Sequence, residues 1–437
     1  MKPQNPWETK LVRDPLHGFI GLTEREVRLA GTSSFLRLGR IHQLAHSHMV
    51  YPGAVHTRLE HSLGTLYISG RIAEQLKLKD QSRAAVRAAA LLHDVGHGPY
   101  SHLFEGVMQS LGATDFDHEA VTRMIVARDT EIADALGEIQ GEVLEILGGK
   151  AGLLSHIISG GLDCDKLDYL RRDAHHTGVS YGVFDIERIL RSVCAVRSAG
   201  EDYLAVEWKG KDALENYRLA RYSMHAQVYE HKTRLIADDL FVRAVTLAAE
   251  EGVVQKGDLL STDAERFLPA FTSLDDASTD LRILTESKGP ARELISNIFN
   301  RRLPKRAYEL PLTAQFVSDS LRRRELSRLP KERISAIEGE LAKDANCSPH
   351  NVIVHPQTIA IKLYERFDQA GGEEASSLLV QRPDGSVTSM EDESPITALP
   401  EPIRRVFVFC PKECVPRVND LATRIFGYRG IYTPPDT

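Results

Sequence analysis

One stretch of the sequence concentrates side chains that could bind a metal and move protons. Residues 88–102 read AAALLHDVGHGPYSH, so an apolar run leads into the adjacent His93 and Asp94, followed by His97 and His102. Neutral imidazole and carboxylate are usual protein ligands for transition metals. The intervening glycines would let a backbone or a phosphate approach closely. The stretch therefore predicts a metal site, although an isolated His-Asp pair can also be a helix end with surface histidines.

The residues before the pair indicate how it is positioned. One face of a predicted helix carries Val86, Ala89, Ala90 and His93. The glycines and the proline that follow cannot continue this helix and should end it in a turn. We therefore expect a helix end to present His93 and Asp94 from a buried position.

Two further helices could complete the metal site. His61 stands at the start of a helix predicted over 60–76. Asp165 lies on the polar face of another predicted helix, a face that could equally be solvated surface. The resulting set of two imidazoles and two carboxylates is His61, His93, Asp94 and Asp165. Nitrogen and oxygen ligands of this kind suit Mn, Fe, Co, Zn or Mg rather than a thiophilic metal.

A metal in this set would favour the hydrolysis of a phosphoester. A metal-bound water has its pKa lowered towards neutrality and becomes a nucleophile. Histidines that could transfer a proton to the leaving oxygen are His97, His102 and His118. Basic side chains that could bind an anionic substrate are Arg58, Lys166 and Arg221. Arg221 belongs to a basic and aromatic stripe on a helix predicted from about 212 to 249, which is either a solvated face or one wall of a pocket.

The composition is that of a globular protein whose net charge would not attract a polyanionic partner. The 437 residues carry a formal net charge of −7, so no global field attracts nucleic acid or an anionic membrane. The five cysteines form no CxxC pair, which suits reduced thiols in a cytosol. Residues 1–15 contain no apolar run, and no stretch of about 18 apolar residues occurs anywhere. We therefore expect a cytoplasmic protein with no signal peptide and no membrane span.

Hydrophobic periodicity predicts a mainly helical chain with strands near its C-terminal end. A hairpin over 11–22 comes first, and residues 260–343 also look helical. From residue 351 onward the predicted elements are strands around Val354 and Ile361, a hairpin over 378–388, a strand over 406–410 and a helix over 416–426.

These elements predict a mainly α fold class with two parts. Residues 1–345 should form a helical core, and residues 346–437 a small α+β lobe. The motifs that carry chemistry fall at about 45–180, so the helical core must position them.

The motifs resemble those of a known family. His61, the His93-Asp94 pair and Asp165 are similar, in this order, to the H…HD…D signature of HD-domain metal-dependent phosphohydrolases. Further matching segments are DPLHG at 14–18, YPGA at 51–54, RLEHSLG at 58–64, DCDKLDY at 163–169 and YEHK at 229–232. Together they resemble the branch of the bacterial deoxynucleoside triphosphate triphosphohydrolases and the animal SAM-and-HD-domain enzyme. This resemblance implies an HD-domain helical core with a small α+β C-terminal lobe, without a preceding SAM domain.

The resemblance also implies a role for each matching residue. The first metal would be held by His61, His93, Asp94 and Asp165. His102 would protonate the 5′ leaving oxygen, and the groups near the α-phosphate and a second metal would be His97, His118 and Glu119. The triphosphate would be bound by Arg58, Lys166, Tyr169 and Arg221, the sugar by Gln43, Leu44 and Asp173, and the base by His225 and Tyr229. The products would be a deoxynucleoside and inorganic triphosphate.

Cofactors and partners follow from the same resemblance. The first metal would be a divalent transition metal (Fe, Mn, Co, Ni or Zn), with Mg accompanying the triphosphate, and the protein would be a homo-dimer or homo-tetramer. In nucleotide-activated members, Asp, Gln and Arg recognise an allosteric guanine, whereas the aligned residues here are Gly31, Leu36 and Gly39. Because Gly and Leu side chains cannot make those hydrogen bonds, we expect activation by guanine nucleotides to be absent or altered. Tetramer formation that depends on the activator would change with it.

Two other functions stay open at this point. The H…HD…D set also serves nucleotidases and phosphodiesterases that act on nucleoside monophosphates, cyclic dinucleotides or single-stranded nucleic acid. The number of side chains that could bind anionic groups favours a triphosphate over these alternative substrates. The second alternative is a regulatory nucleotide- or nucleic-acid-binding protein with an inactive site, and the complete set of metal ligands argues against it.

Overall fold

The structure is a computed structural model, and it describes residues 9–198, 200–359, 378–394 and 403–431. The chain forms two compact units, each assembled from several segments. The first unit contains Met1–Val228, Gln255–Thr279 and Lys362–Thr397, and the second contains Tyr229–Val254, Asp280–Ile361 and Ala398–Thr437. The sequence predicts a single boundary at residue 345, whereas the segments of these units alternate along the chain. The predicted boundary stays a prediction.

Helices dominate the described residues, which confirms the predicted mainly α fold class. In chain order they are α1 Glu24–Ala30, α2 Ser33–Arg37, α3 Arg58–Gln75, α4 Asp80–Leu92, α5 His102–Leu111, α6 His118–Arg128, α7 Thr130–Leu136, α8 Gln140–Leu147, α9 Leu153–Ile158, α10 Cys164–Thr177, α11 Ile186–Leu190, α12 Lys211–Met224, α13 Lys232–Glu250, α14 Lys256–Leu259, α15 Ala264–Thr272, α16 Asp276–Glu286, α17 Pro290–Phe299, α18 Ser320–Leu326, α19 Lys331–Ala345, α20 Met390–Glu393 and α21 Val415–Phe426. None of these helices is both long and apolar enough to cross a membrane.

Short strands form three small sheets in the part of the chain that the structure describes. The strands are β1 Lys10–Asp14, β2 Gly18–Leu22, β3 Val193–Ser198, β4 Glu201–Glu207, β5 Lys305–Pro311, β6 Ile353–Ile359, β7 Leu379–Gln381, β8 Val387–Ser389 and β9 Ile403–Cys410. In the first unit, β1 and β2 form an antiparallel hairpin, and a second sheet has the order β3-β4-β7-β8 with a parallel β4–β7 pair. In the second unit, the antiparallel sheet has the order β5-β9-β6.

The helices α3, α4 and α10 of the first unit carry the predicted metal ligands and pack together. The last eight residues of α4 are buried, and His93 follows directly at its C-terminal end, as the sequence predicts. Helix α10 begins after Asp163, whose side chain caps it by accepting the backbone N–H of Lys166 at 2.7 Å. An N-cap carboxylate satisfies an otherwise free donor of the first turn, so the position of Asp165 is fixed within α10.

Several predicted elements are confirmed and two need correction. The hairpins near 11–22 and 378–388 and the helix near 416–426 are present. The single helix predicted from about 212 to 249 is wrong in its middle, because a π-helical turn at His225–Tyr229 separates α12 from α13. The all-helical prediction for 260–343 is also wrong, because it contains β5, which pairs with β9. The predicted strand residue Ile361 lies outside the described residues.

The small α+β part of the second unit is built on the β5-β9-β6 sheet, against which α19 and α21 pack. Its core contains fully buried side chains from the sheet and both helices, such as Tyr308, Leu341, Val408 and Val418. A disulfide joins Cys347 to Cys414, with their Cα atoms 6.6 Å apart. The expectation of reduced thiols is therefore wrong for these two cysteines, whereas the thiols of Cys164, Cys194 and Cys410 are free.

The close approach of α3 to α10 depends on Gly64. A Cβ atom at this position would overlap the carboxylate of Asp168 and the guanidinium of Arg172, both of which are buried. We expect Gly64→Ala to destabilise the protein by about 1–3 kcal/mol, as overpacking of a core does. A fall of the melting temperature in differential scanning calorimetry would show it.

Gly141→Ala is the matched control for this prediction. Gly141 also lies within a helix, α8, but nothing stands within 4 Å of a Cβ added there. Helix propensity alone favours alanine over glycine by about 1 kcal/mol, so this variant should be as stable as the wild type or more stable. Equal melting temperatures for the two variants would show that the contact at Gly64 tolerates a methyl group.

Candidate metal centre

Three side chains from three helices converge within the first unit. They are His61 from α3, His93 at the end of α4 and Asp165 in the first turn of α10, and their ligand atoms all lie within 4.8 Å of one another. The Nε2 atom of His61 is 2.9 Å from Asp165 Oδ1, and His93 Nε2 is 3.7 Å from the same oxygen. Two imidazoles and a carboxylate in this arrangement are a donor set for a divalent transition metal.

Asp94, the fourth predicted metal ligand, borders this group. Its Oδ1 lies 3.2 Å from His93 Nε2 and 3.3 Å from His97 Nε2. Its Oδ2 accepts a hydrogen bond from Arg58 Nη1 at 2.7 Å and lies 3.7 Å from His61 Nε2. The carboxylate of Asp94 therefore lies beside both imidazole ligands and is paired with an arginine.

The electrostatics of the centre favour a cation. Burial lowers the pKa of His61, but the hydrogen bonds to Asp165 and Asp168 outweigh it and raise the pKa to about 10. Burial likewise opposes ionisation of Asp165, yet the two imidazoles hold the pKa of its carboxyl well below the usual range. A bound metal would take the place of protons on these ligands, so metal binding and proton release are linked.

Asp168 supports His61 on the side away from the other ligands, and it is not among the residues predicted from the sequence. Its fully buried carboxylate accepts hydrogen bonds from His61 Nδ1 at 3.0 Å, from Arg172 Nε at 2.7 Å and from Arg172 Nη2 at 3.0 Å. The nearby guanidinium of Arg172 and the hydrogen bonds keep the pKa of Asp168 well below its usual value despite burial. An ionised carboxylate only accepts, so His61 donates through Nδ1 and its Nε2 faces the candidate metal centre.

His93 is oriented in the same way by the backbone. Its Nδ1 donates to the carbonyl oxygen of Ala90 at 2.7 Å, which turns Nε2 towards Asp94 and Asp165. This Nε2 is buried and makes no hydrogen bond within the described residues. A buried imidazole nitrogen that faces two carboxylates without a hydrogen bond suits a metal ligand, so the residues present fit a divalent metal.

A second group of side chains lies beside the first and consists of His97, His102, Glu105 and His118. Glu105 Oε1 accepts from His102 Nδ1 at 3.0 Å and from His118 Nδ1 at 2.7 Å. Burial raises the pKa of Glu105, but its hydrogen bonds to the two histidines lower it to about 2. Sequence reasoning missed Glu105, although its position three residues after His102 on one helix is a usable signal.

His97 and Glu119, both predicted to lie near the α-phosphate, differ in their burial. His97 is buried and stacks on His118 with ring centroids 4.0 Å apart, and burial together with the cationic Arg58 lowers its pKa well below the usual value. The exposed carboxylate of Glu119 lies 3.9 Å from Arg123 and outside the four-residue group. Its predicted contact with a phosphate or a second metal stays a prediction.

A strained turn places His102 at the start of α5. Tyr100 and Ser101 both have positive φ angles, 56° and 62°, which cost non-glycine residues about 1–3 kcal/mol each. The Ser101 hydroxyl accepts from Arg58 Nε at 2.7 Å and donates to the carbonyl of His42 at 2.7 Å. The backbone N–H of Tyr100 donates to the buried carboxylate of Asp276 at 2.6 Å.

Three of the residues predicted to hold a triphosphate lie close to Asp165. Burial lowers the pKa of Lys166, but the carboxylates of Asp163 and Asp165 raise it above its usual value. Burial raises the pKa of Tyr169 to about 12 against the opposing field of Arg221. The buried Nε of Arg221 makes no hydrogen bond within the described residues. Lys166 and Arg221, together with Arg58, which reaches Asp94, therefore place positive charge near Asp165 and Asp94.

The residues predicted to contact sugar and base are only partly brought together. Asp173 is buried and bonded to His56 Nε2 at 2.8 Å, and the backbone N–H of Gln43 donates to the His56 carbonyl at 3.0 Å. The neighbouring Leu44 is buried in the first unit as well. The remaining two predicted residues begin and end the π-helical turn, and they are His225 and Tyr229. Tyr229 belongs to the second unit, so its predicted contact with the base stays a prediction.

A helical core in which three separate helices supply a histidine, a His-Asp pair and an aspartate, in this order along the chain, defines an HD domain. The HD domain family matches residues 58–171, and the HD associated region family matches residues 184–431. The chain belongs to this family of HD-domain proteins with an HD-associated region, which confirms the resemblance seen in the sequence.

Proteins similar to this chain include both named and uncharacterized members. An uncharacterized protein of Methanocaldococcus jannaschii is 37% identical over 254 residues, covering 58% of this chain and 53% of that protein. The deoxynucleoside triphosphate triphosphohydrolase SAMHD1 of Homo sapiens is 30% identical over 377 residues, covering 75% of this chain and 59% of that protein. A hypothetical protein from Aquifex aeolicus of known crystal structure is 28% identical, with a TM-score of 0.71 and coverage of 94% and 99%. The chain spans little more than half the length of the two curated relatives.

The role of Asp168 can be tested by metal binding. Asp168→Asn keeps the shape of the side chain but removes its charge and turns one acceptor into a donor. We expect the affinity for Co²⁺ to fall about 10–100-fold, as it does when the residue behind a metal-ligating histidine is changed. Competition with a chelator measures the affinity. Asp134→Asn, which changes an exposed carboxylate, is the control, and equal affinities for both variants would contradict the assignment.

Proposed function

We propose that this HD-domain protein is a metal-dependent phosphohydrolase that cleaves deoxynucleoside triphosphates into a deoxynucleoside and inorganic triphosphate. The observation that carries the proposal is the combination of a histidine-aspartate centre with Arg58, Lys166 and Arg221 around it. A bidentate arginine fork and a lysine suit the oxygens of a polyphosphate. The similarity to human SAMHD1, itself named as such an enzyme, supports the substrate class.

The metal would be held by His61, His93, Asp94 and Asp165. We propose a divalent transition metal (Fe, Mn, Co, Ni or Zn), with Mg accompanying the triphosphate. When bound, such a metal lowers the pKa of water and neutralises developing charge on the phosphate.

The side chains beside the centre would protonate the leaving oxygen and contact the charged phosphate. His102 is largely exposed at the start of α5, and the ionised Glu105 accepts from its Nδ1, which leaves Nε2 to deliver a proton to the 5′ leaving oxygen. The pKa of His97 is depressed, so this imidazole is neutral and can donate a hydrogen bond to a phosphate oxygen without holding a full charge. His118 and Glu119 would complete the contacts on the α-phosphate side.

Specificity for the rest of the nucleotide would come from residues further out. Tyr169, with its hydroxyl kept protonated by a raised pKa, would lie against the sugar and the triphosphate. Gln43, Leu44 and Asp173 would contact the sugar. We propose that His225 and Tyr229 flank the base, that the protein acts in the cytoplasm, and that it assembles as a homo-oligomer.

An activity panel on metal-reconstituted protein tests the reaction. Each deoxynucleoside triphosphate would be supplied alone and then with GTP or dGTP, and the phosphate products would be separated by ion exchange. We expect inorganic triphosphate from single substrates, with little further acceleration by guanine nucleotides because Gly31, Leu36 and Gly39 cannot recognise guanine. Asp94→Ala should lose metal and turnover together. Hydrolysis of monophosphates or single-stranded nucleic acid without triphosphate release would favour a nucleotidase or phosphodiesterase instead.

The general-acid role of His102 predicts a separate phenotype. His102→Ala should keep its metal but lose turnover about 10²–10⁴-fold, because a positioned acid contributes that much to the reaction. Elemental analysis measures the metal, and the triphosphate assay measures the rate. His175→Ala, at an exposed histidine on α10, is the control and should behave as wild type. Loss of metal from the His102 variant would make His102 a ligand rather than an acid.

A further inference from the structure

The segment Asp14–Gly18, which reads DPLHG, has no role in the proposed reaction so far. It forms the turn between β1 and β2. Asp14 Oδ1 accepts the backbone N–H groups of Leu16 and His17, both at 2.8 Å, and Gly18 has the left-handed φ of 75° that this turn requires. The turn therefore holds the backbone of His17 in a fixed place.

The side chain of His17 points away from the hairpin into the first unit. Its Nε2 lies 2.6 Å from Asp168 Oδ1, and its ring stacks on Tyr67 with centroids 4.7 Å apart. Only 3% of the side chain is exposed. The other oxygen of the same carboxylate, Asp168 Oδ2, accepts from Nδ1 of His61 at 3.0 Å. One buried carboxylate therefore joins the imidazole of the turn to the imidazole of the candidate metal ligand.

We propose that His17 is a positioning residue that orients the metal ligand His61 through Asp168. Its Nε2–H fixes one carboxylate oxygen, so that the other is aimed at His61 Nδ1 and the His61 Nε2 lone pair is aimed at the metal. A ligand held in its binding orientation before the metal arrives binds more tightly, because less ordering is needed on binding. This inference rests on the metal centre proposed above and not on the choice of substrate.

Arg172 contributes to the same arrangement but cannot replace His17. Its guanidinium reaches both oxygens of Asp168 and, 2.9 Å away, Asp14 Oδ2. It is therefore shared between two carboxylates, one in the turn and one behind His61. His17 adds the second hydrogen bond to Oδ1 that matches the one from His61 to Oδ2, so each oxygen receives two donors.

Two substitutions of His17 separate a positioning role from a packing role, because the two roles predict opposite orders of metal affinity for the variants. His17→Gln keeps an N–H donor near the place of Nε2 but loses the ring. His17→Phe keeps a ring that can stack on Tyr67 but loses the donor. A positioning role predicts that Gln preserves metal binding better than Phe, whereas a merely structural role predicts that Phe is the better replacement.

The measurement is Co²⁺ binding to the full-length protein without any substrate. We expect the affinity of His17→Phe to fall about 10-fold and its visible Co²⁺ spectrum to change, with His17→Gln close to wild type. Tyr67→Leu, which removes the stacking partner and leaves the hydrogen bond, should lower the melting temperature without changing the affinity. If His17→Phe does not fold, His17→Asn takes its place, since its shorter amide cannot reach Asp168.

Equal Co²⁺ affinities for wild type and all His17 variants would overturn the inference, as would a larger loss for Gln than for Phe. Absence of one-to-one Co²⁺ binding by the wild type would overturn the proposed metal centre and this inference with it. Failure of the nucleotide panel, in contrast, would leave these binding results unaffected and would concern only the substrate.

Discussion

The buried carboxylate of Asp168 is the group on which the candidate metal centre depends. A carboxylate removed from water is costly unless it is paired and hydrogen-bonded, and here four hydrogen bonds reach its two oxygens. The donors come from the β1–β2 turn, from α3 and from α10, so one charge joins three parts of the chain that are far apart in sequence. Since all the donors bind one carboxylate, a change at one of them alters the others.

The arginine beside the candidate metal centre, Arg58, likewise balances a buried carboxylate, that of Asp94. Burial opposes ionisation of Asp94, but the guanidinium of Arg58 and the neighbouring imidazoles hold the pKa of its carboxyl well below the usual range. The described contacts of Arg58 to Asp94 and Ser101 use two of the five N–H groups that an arginine carries. The same side chain can therefore balance a protein carboxylate and still present donors to an anionic ligand. The proposed binding of a metal and a polyphosphate at one site would need charges of both signs arranged in this way.

The sequence predicts the parts of this arrangement that depend on local patterns. The apolar run before His93 and the turn residues near Asp14 indicate their elements without reference to the rest of the chain. Asp168 is different, because its role depends on a contact with His61, 107 positions away in the chain. A single sequence gives no indication of that contact. The same reason explains the missed strand β5, whose partner β9 lies about a hundred residues later. The π-helical turn at His225–Tyr229 contains no glycine or proline, so no local signal marks the end of α12.

The strained turn at Tyr100 and Ser101 shows how a local cost in conformational free energy is connected with the arrangement of the site. Two adjacent residues with positive φ would not persist in an isolated peptide, since relaxation to ordinary angles is available to both. Here Asp276 binds the Tyr100 N–H, and Arg58 and the His42 carbonyl bind the Ser101 hydroxyl, so the fold supplies the stabilisation that the turn lacks. The effect is that α5 begins directly at His102, with Glu105 one turn later and His118 in contact with it. His102 and Glu105 lie one turn apart on α5, so the helix itself fixes their contact. A relaxed turn would change the direction in which the chain enters α5, so the strain is the condition under which this imidazole and its carboxylate partner stand beside the metal ligands.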